Sequence, residues 1–73
     1  MSKLPLFSGK EIIRILEKLG YREVRQRGSY IRLECSNRKS VTVPNYNTID
    51  RSLLRKILRD IELSIDEFNK LID

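Results

Sequence analysis

The chain has no histidine and no tryptophan among its 73 residues, and it has a single cysteine, Cys35. Without histidine, no side chain has an unperturbed pKa between pH 5 and 8, where imidazole titrates. A lone cysteine cannot form an internal disulfide, and without histidine it cannot build a standard zinc site. The 3 glycines form no glycine-rich phosphate loop and fit turn positions. We therefore expect neither a metal nor another cofactor.

Long apolar runs are also missing. No stretch approaches the roughly 20 apolar residues that span a bilayer, so we expect no membrane partner. A single unpaired thiol fits a reducing compartment and favours a cytoplasmic location. The length predicts one domain over residues 1–73. A domain of this size buries only about 60% of its unfolded-chain surface, so its stability should be modest.

Positive charge is abundant: 15 Lys and Arg stand against 10 Asp and Glu, for a net charge of +5. The stretch 22–39 holds most of this excess, with six basic and two acidic residues. The basic residues are Arg22, Arg25, Arg27, Arg32, Arg38 and Lys39. This charge favours a polyanion or an acidic protein as the partner.

Capping signals predict three helices. Ser8 with Glu11 three residues later forms a capping box, and the apolar spacing that follows predicts a helix over 9–19 that ends at Gly20. Asp50 caps a second helix, whose apolar face is formed by leucines and isoleucines between residues 53 and 61. A second capping box at Ser64 opens a short third helix.

Between the first two helices the apolar period changes to that of strands. Residues 21–26, 30–35 and 40–43 are predicted strands joined by tight turns, and Pro44 ends the last strand. The fold class is therefore α+β, with the order α-β-β-β-α-α, a three-stranded antiparallel sheet and the helices on one face. Alternation places Tyr30, Arg32 and Glu34 on the open face of the sheet.

Two interpretations of the open face compete. Arginine guanidinium groups match phosphate oxygens and tyrosine stacks on bases, which favours nucleic-acid binding. Alternatively, the charges only keep an exposed sheet face soluble. The second helix carries a further row of basic residues, which we interpret as an ordinary exposed helix face. This row consists of Arg51, Arg55, Lys56 and Arg59.

In order and spacing, several short motifs resemble the HicA family of toxin–antitoxin toxins over nearly the whole chain. They are Ser8-Gly9-Lys10-Glu11, Leu19-Gly20-Tyr21, Val24-Arg25-Gln26-Arg27-Gly28-Ser29, Val41-Thr42-Val43-Pro44 and Leu53-Leu54-Arg55-Lys56-Ile57-Leu58-Arg59. The resemblance implies a fold like the double-stranded-RNA-binding domain. It also implies a small ribonuclease that cleaves messenger RNA and blocks translation, and a HicB-like antitoxin that covers its active site.

The family's Gly-Ser-His pattern falls on Gly28, Ser29 and Tyr30, which are therefore the expected catalytic residues. The substrate, messenger or other single-stranded RNA, is expected to contact six nearby residues. They are Arg25, Arg27, Arg32, Arg38, Lys39 and Tyr46.

Tyr30 thus replaces the family's histidine, and Tyr46 lies where many members carry another histidine. A tyrosine of pKa about 10 is ionised in only about one molecule in a thousand at pH 7, so it is a weak base there. Three accounts stay open. The chain is a natural, weakened or inactive relative that still binds RNA or its antitoxin, or a copy inactivated by one base substitution, or an enzyme with a different acid–base scheme that uses Tyr30 and arginine. The alternative function is a catalytically silent RNA-binding or antitoxin-binding module.

Overall fold

The computed structural model describes residues 6–72, so both ends of the expected domain 1–73 lie outside the described part. The helices and strands follow in the order α1 (Gly9–Glu17), β1 (Arg22–Arg27), β2 (Tyr30–Cys35), β3 (Arg38–Pro44), α2 (Arg51–Asp60) and α3 (Ile65–Leu71). The three strands form one sheet in the order β1-β2-β3, and both pairings are antiparallel. The predicted α+β class and element order are confirmed.

The register of the sheet decides which side chains share a face. Tyr30 lies opposite Arg27 on one side and Pro44 on the other, and Arg32 lies opposite Arg25. Directly opposed residues of antiparallel strands point to the same face, so these residues occupy one face together. The other face carries the buried side chains Ile31, Leu33, Val41 and Val43.

All three helices cover that buried face. The least exposed helix side chains are Ile12 and Leu16 of α1, Leu54 of α2 and Phe68 of α3, each at 0% exposure. The Phe68 ring also meets Phe7 edge-to-face, with 5.6 Å between the ring centroids. One core therefore lies between the sheet and the helices, and the opposite sheet face is open to solvent.

The first helix begins where the sequence predicts and ends earlier. The Ser8 Oγ accepts the Glu11 N–H at 3.1 Å, and the Glu11 carboxylate accepts the Ser8 N–H at 2.8 Å, which completes the capping box. The helix ends at Glu17 rather than at residue 19. The Gly20 N–H bonds back to the Glu17 carbonyl at 3.0 Å, and Gly20 has a φ of +105°. This closing turn takes up the last two residues of the predicted helix.

The bounds of two strands also differ from the prediction, since β1 covers Arg22–Arg27 rather than 21–26 and β3 covers Arg38–Pro44 rather than 40–43. Tyr21 precedes β1 and is buried, with its hydroxyl donating to the Lys39 carbonyl at 2.7 Å. The pKa of Tyr21 is raised, mainly because the side chain is buried. The third strand begins at Arg38 instead of residue 40, because Cys35 pairs with Arg38 and only Ser36 and Asn37 remain for the turn.

Candidate nucleic-acid interface

A β-bulge in β1 brings its arginines to the open face. Glu23 lies opposite Leu33, the next paired residue is Arg25, and Val24 between them has no partner. Strict alternation would place Arg22 and Arg25 on opposite faces. The extra residue at the bulge shifts the alternation by one, so that both point away from the helices. Arg27 follows Arg25 on the same face.

The turn between β1 and β2 sets the position of Tyr30. Gly28 and Ser29 form a two-residue hairpin turn, since Arg27 pairs with Tyr30. Gly28 has a φ of +59°, as the first central residue of a type II′ turn requires. Tyr30 then opens β2 with 53% of its surface exposed. Its ring is therefore accessible to a ligand on the open face.

Three arginines surround Tyr30. Arg25, Arg27, Tyr30, Arg32 and Thr42 line a shallow depression of about 260 Å³ on the open face. Arg25 and Arg32 are cross-strand partners, and like charges directly opposite each other destabilise a sheet. A bound anion would relieve this repulsion. The depression therefore has the charge and shape of a site for a phosphate beside an aromatic ring.

Among residues 6–72, Glu34 competes with a ligand for Arg32. The Arg32 Nε lies 3.6 Å from a carboxylate oxygen of Glu34, and both side chains are about half exposed. Ion pairs this exposed contribute little in water. Arg32 is thus free to exchange Glu34 for a phosphate oxygen.

The loop after β3 brings Tyr46 to Tyr30. The Asn45 N–H donates to the Ser29 carbonyl at 2.5 Å, and the Gly9 N–H donates to the Tyr46 carbonyl at 2.9 Å. These two bonds tie the loop to the hairpin turn and to the start of α1. A hydrogen bond with Tyr30 is the main cause that raises the pKa of Tyr46. Tyr46 is therefore ionised even less often at neutral pH than an ordinary tyrosine.

Gly9 has a packing role, although the sequence analysis interpreted all three glycines as turn residues. It lies in the first turn of α1 and is buried. A Cβ atom built on it would lie 2.1 Å from the Pro44 carbonyl oxygen and 3.0 Å from the Asn45 Cα. Only glycine lets α1 approach the loop that carries Tyr46 this closely.

Arg38 and Lys39 are separated from the residues around Tyr30. Arg38 pairs with Cys35 at the other end of the sheet, and its guanidinium donates to the Ile61 carbonyl at 3.4 Å, on the helix side. The Lys39 ammonium lies 3.2 Å from the Glu62 carboxylate. Some of the predicted RNA-binding residues thus lie together around Tyr30. Arg38 and Lys39 do not, and their role in RNA binding stays a prediction.

The sequence reasoning also missed Thr42. It lies opposite Arg32 on the open face, and the alternation of Val41, Thr42 and Val43 already indicates that its side chain points away from the core. The bulge at Val24 had no comparable signal, because polar residues flank it on both sides.

Two kinds of feature do not occur within residues 6–72. No helix there is long and apolar enough to cross a membrane. No group of three or more His, Cys, Asp or Glu side chains there is arranged to hold a metal ion.

Comparison with known proteins gives one match. The model of the family described as the HicA toxin of bacterial toxin–antitoxin systems matches residues 9–63. The matched part begins with α1, includes all three strands and α2, and stops before α3. No curated protein and no solved structure matches the chain. The depression around Tyr30 and the loop that carries Tyr46 both lie within the matched part.

Proposed function

This chain belongs to the HicA toxin family, and we propose that it acts on single-stranded messenger RNA as an endoribonuclease that blocks translation. The observation that carries the proposal is the pairing of Arg25 with Arg32 across the strands, beside the exposed ring of Tyr30. Two opposed cations weaken the sheet unless an anion lies over them. An RNA phosphate supplies that anion, and the neighbouring base supplies a surface for the tyrosine.

Arginine and tyrosine side chains would bind different parts of the RNA. Arg25, Arg27 and Arg32 hold successive phosphate oxygens through charge-assisted hydrogen bonds. Tyr30 and Tyr46 offer ring faces on which bases stack, an interaction of about 1–3 kcal/mol per base. Neither contact reads base identity, so we expect weak sequence preference at these positions.

Cleavage would follow the family reaction at a reduced rate. The ribose 2′-oxygen attacks the adjacent phosphorus as a base removes its proton, and the 5′-oxygen of the next nucleotide leaves and takes up a proton. Tyr30 occupies the place of the base. Only about one phenol in a thousand is ionised at pH 7, so we propose strong binding with slow cleavage. The arginines stabilise the negative charge that builds on the phosphate.

A second candidate is a silent module that binds RNA or an antitoxin without cutting. It is favoured by the pKa of Tyr46, which Tyr30 raises above its ordinary value, so that Tyr46 is ionised even less often at neutral pH than an ordinary tyrosine. In either case we propose a HicB-like antitoxin as the protein partner. An acidic surface on that antitoxin would compete with RNA for the same arginines.

The test is cleavage of a defined messenger RNA by the purified wild type, Tyr30→His and Tyr30→Phe, with binding measured in parallel. We expect the wild type to bind and cut slowly, Tyr30→His to cut about 10²–10⁴-fold faster, and Tyr30→Phe to bind without cutting. Tyr30→Phe is the matched control because it keeps the ring and removes only the hydroxyl.

Two other results would change the conclusion. Binding by all three proteins with cleavage only by Tyr30→His would favour the silent module for the wild type. A folded wild type that binds no single-stranded RNA would show that the proposed function is wrong.

A further inference from the structure

A second basic groove lies on the side of the molecule next to the open face. It runs between β3, an edge strand of the sheet, and α2, and its volume is about 510 Å³. Lys56 and Arg59 line it from the helix, while Arg32 and Thr42 line it from the sheet. Both helix residues are exposed, on the side of α2 away from its buried Leu54 and Leu58.

This groove is continuous with the depression around Tyr30. Arg32 and Thr42 line both, and they are cross-strand partners on β2 and β3. A chain that leaves Tyr30 along these two residues reaches the edge strand and then α2. The two concave regions therefore form one path that turns around the edge of the sheet.

The charge in the groove suits a phosphate. Among the described residues that line it, four are cations and one, Asp60, is an acid. Two of these cations, Lys39 and Arg32, have exposed ion pairs with Glu62 and Glu34, which contribute little in water and can be exchanged for a phosphate oxygen. Among the described strands β3 pairs with β2 alone and is an edge strand, and an edge strand presents backbone N–H groups from which an anion can accept hydrogen bonds.

We propose that this groove is a second phosphate-binding subsite, and that a single RNA strand passing Tyr30 continues over β3 to Lys56 and Arg59. The inference rests on the proposed function, since it extends the same RNA. A flexible single strand can turn around the sheet edge, whereas a stiff duplex cannot bend this sharply. The basic side of α2 is then part of the binding surface, in contrast to its interpretation from sequence as an ordinary exposed helix face.

The experiment compares two double variants with equal loss of charge. Lys56→Ala/Arg59→Ala removes the helix side of the groove. Lys10→Ala/Arg14→Ala removes one exposed lysine and one exposed arginine of α1, which line neither concave region. Each protein is titrated with a labelled single-stranded RNA of about ten nucleotides and with a dinucleotide, over a series of salt concentrations.

We expect Lys56→Ala/Arg59→Ala to bind the longer RNA about tenfold more weakly than the control variant. Its slope of log affinity against log salt should fall by about 0.7 for each lost phosphate contact. Dinucleotide binding should be the same in both variants, because its single internucleotide phosphate would be held by the arginines around Tyr30.

Three results would overturn the subsite. Equal affinities of the two variants for the longer RNA would overturn it and leave the proposed function intact, since the wild type still binds. An equal loss for the dinucleotide would show that the helix residues act on the open face from a distance. A wild type that binds neither RNA would reject the subsite together with the proposed function.

Discussion

Tyr30 and Tyr46 are two exposed tyrosines, and the loop that carries Tyr46 is tied by a backbone hydrogen bond to the hairpin turn before Tyr30. Imidazole exchanges a proton near neutral pH, whereas the pKa of Tyr46 lies above the ordinary value of tyrosine, mainly because of a hydrogen bond with Tyr30. Tyr46 is therefore suited to hydrogen bonding and stacking at pH 7.

The hydrogen bond predicts how Tyr46 titrates. Its pKa lies above the ordinary 10.0 because of Tyr30, so Tyr30→Phe should lower it towards that value. A raised pKa in the folded state stabilises the fold below pH 10 and loses this contribution as the pH rises through the raised pKa. An ultraviolet titration of tyrosine ionisation, compared between wild type and Tyr30→Phe, measures the shift.

Tyr46→Phe is the matched control for this titration. It removes the Tyr46 transition and leaves the transition of Tyr21, which burial raises independently. If the Tyr46 transition is the same in the wild type and in Tyr30→Phe, the hydrogen bond is absent in solution.

At the scale of elements, the contact between α1 and the loop after β3 holds Tyr46 in place. We expect Gly9→Ala to destabilise the fold by about 1–3 kcal/mol, because the new Cβ overlaps the Pro44 carbonyl oxygen at 2.1 Å. This loss outweighs the gain of about 1 kcal/mol in helix propensity. Thermal unfolding measures the change, and the Tyr46 titration reports whether the loop has moved.

Gly28→Ala provides the comparison for Gly9→Ala. A Cβ on Gly28 would meet no atom within 4 Å, so only its φ of +59° opposes alanine there. We expect about 1 kcal/mol of destabilisation from that strain. A Gly9→Ala protein as stable as the wild type would mean that α1 and the loop separate without loss.

The elements differ in how far the sequence predicts them. The starts of α1 and α3 follow from Ser8 with Glu11 and from Ser64, because a capping box is a local pattern. The end of α2 has no such signal. Glu62 adopts a φ of +58°, where glycine is usual. The closing turn is visible in two backbone hydrogen bonds, from the Glu62 N–H to the Arg59 carbonyl and from the Leu63 N–H to the Leu58 carbonyl.

The open face is predictable for β2 and not for β1. Tyr30 and Arg32 alternate with buried Ile31 and Leu33, so their direction follows from the sequence. Every residue of β1 is exposed, so no burial pattern indicates its direction or its bulge. The approach of Tyr46 to Tyr30 depends on long-range contacts of Gly9 and Asn45, which no local pattern contains.

At the scale of the whole molecule, a net charge of +5 attracts any polyanion, wherever the charges lie. Diffuse attraction and a bound path on the open face predict different responses to single substitutions. If the charge acts as a whole, removing any one arginine has the same effect. If RNA follows Arg25, Arg27 and Arg32, these three should matter more than arginines elsewhere.

We expect Arg25→Ala, Arg27→Ala and Arg32→Ala each to weaken binding of single-stranded RNA and to reduce its salt slope by about 0.7. Arg14→Ala is the matched control, since it removes the same charge from α1, on the other side of the sheet. We expect it to leave the slope nearly unchanged. Affinities measured over a salt series separate binding by net charge from binding along the open face. Equal slopes in all four variants would assign binding to net charge. Unchanged affinity in the three sheet variants would exclude the open face as the RNA path.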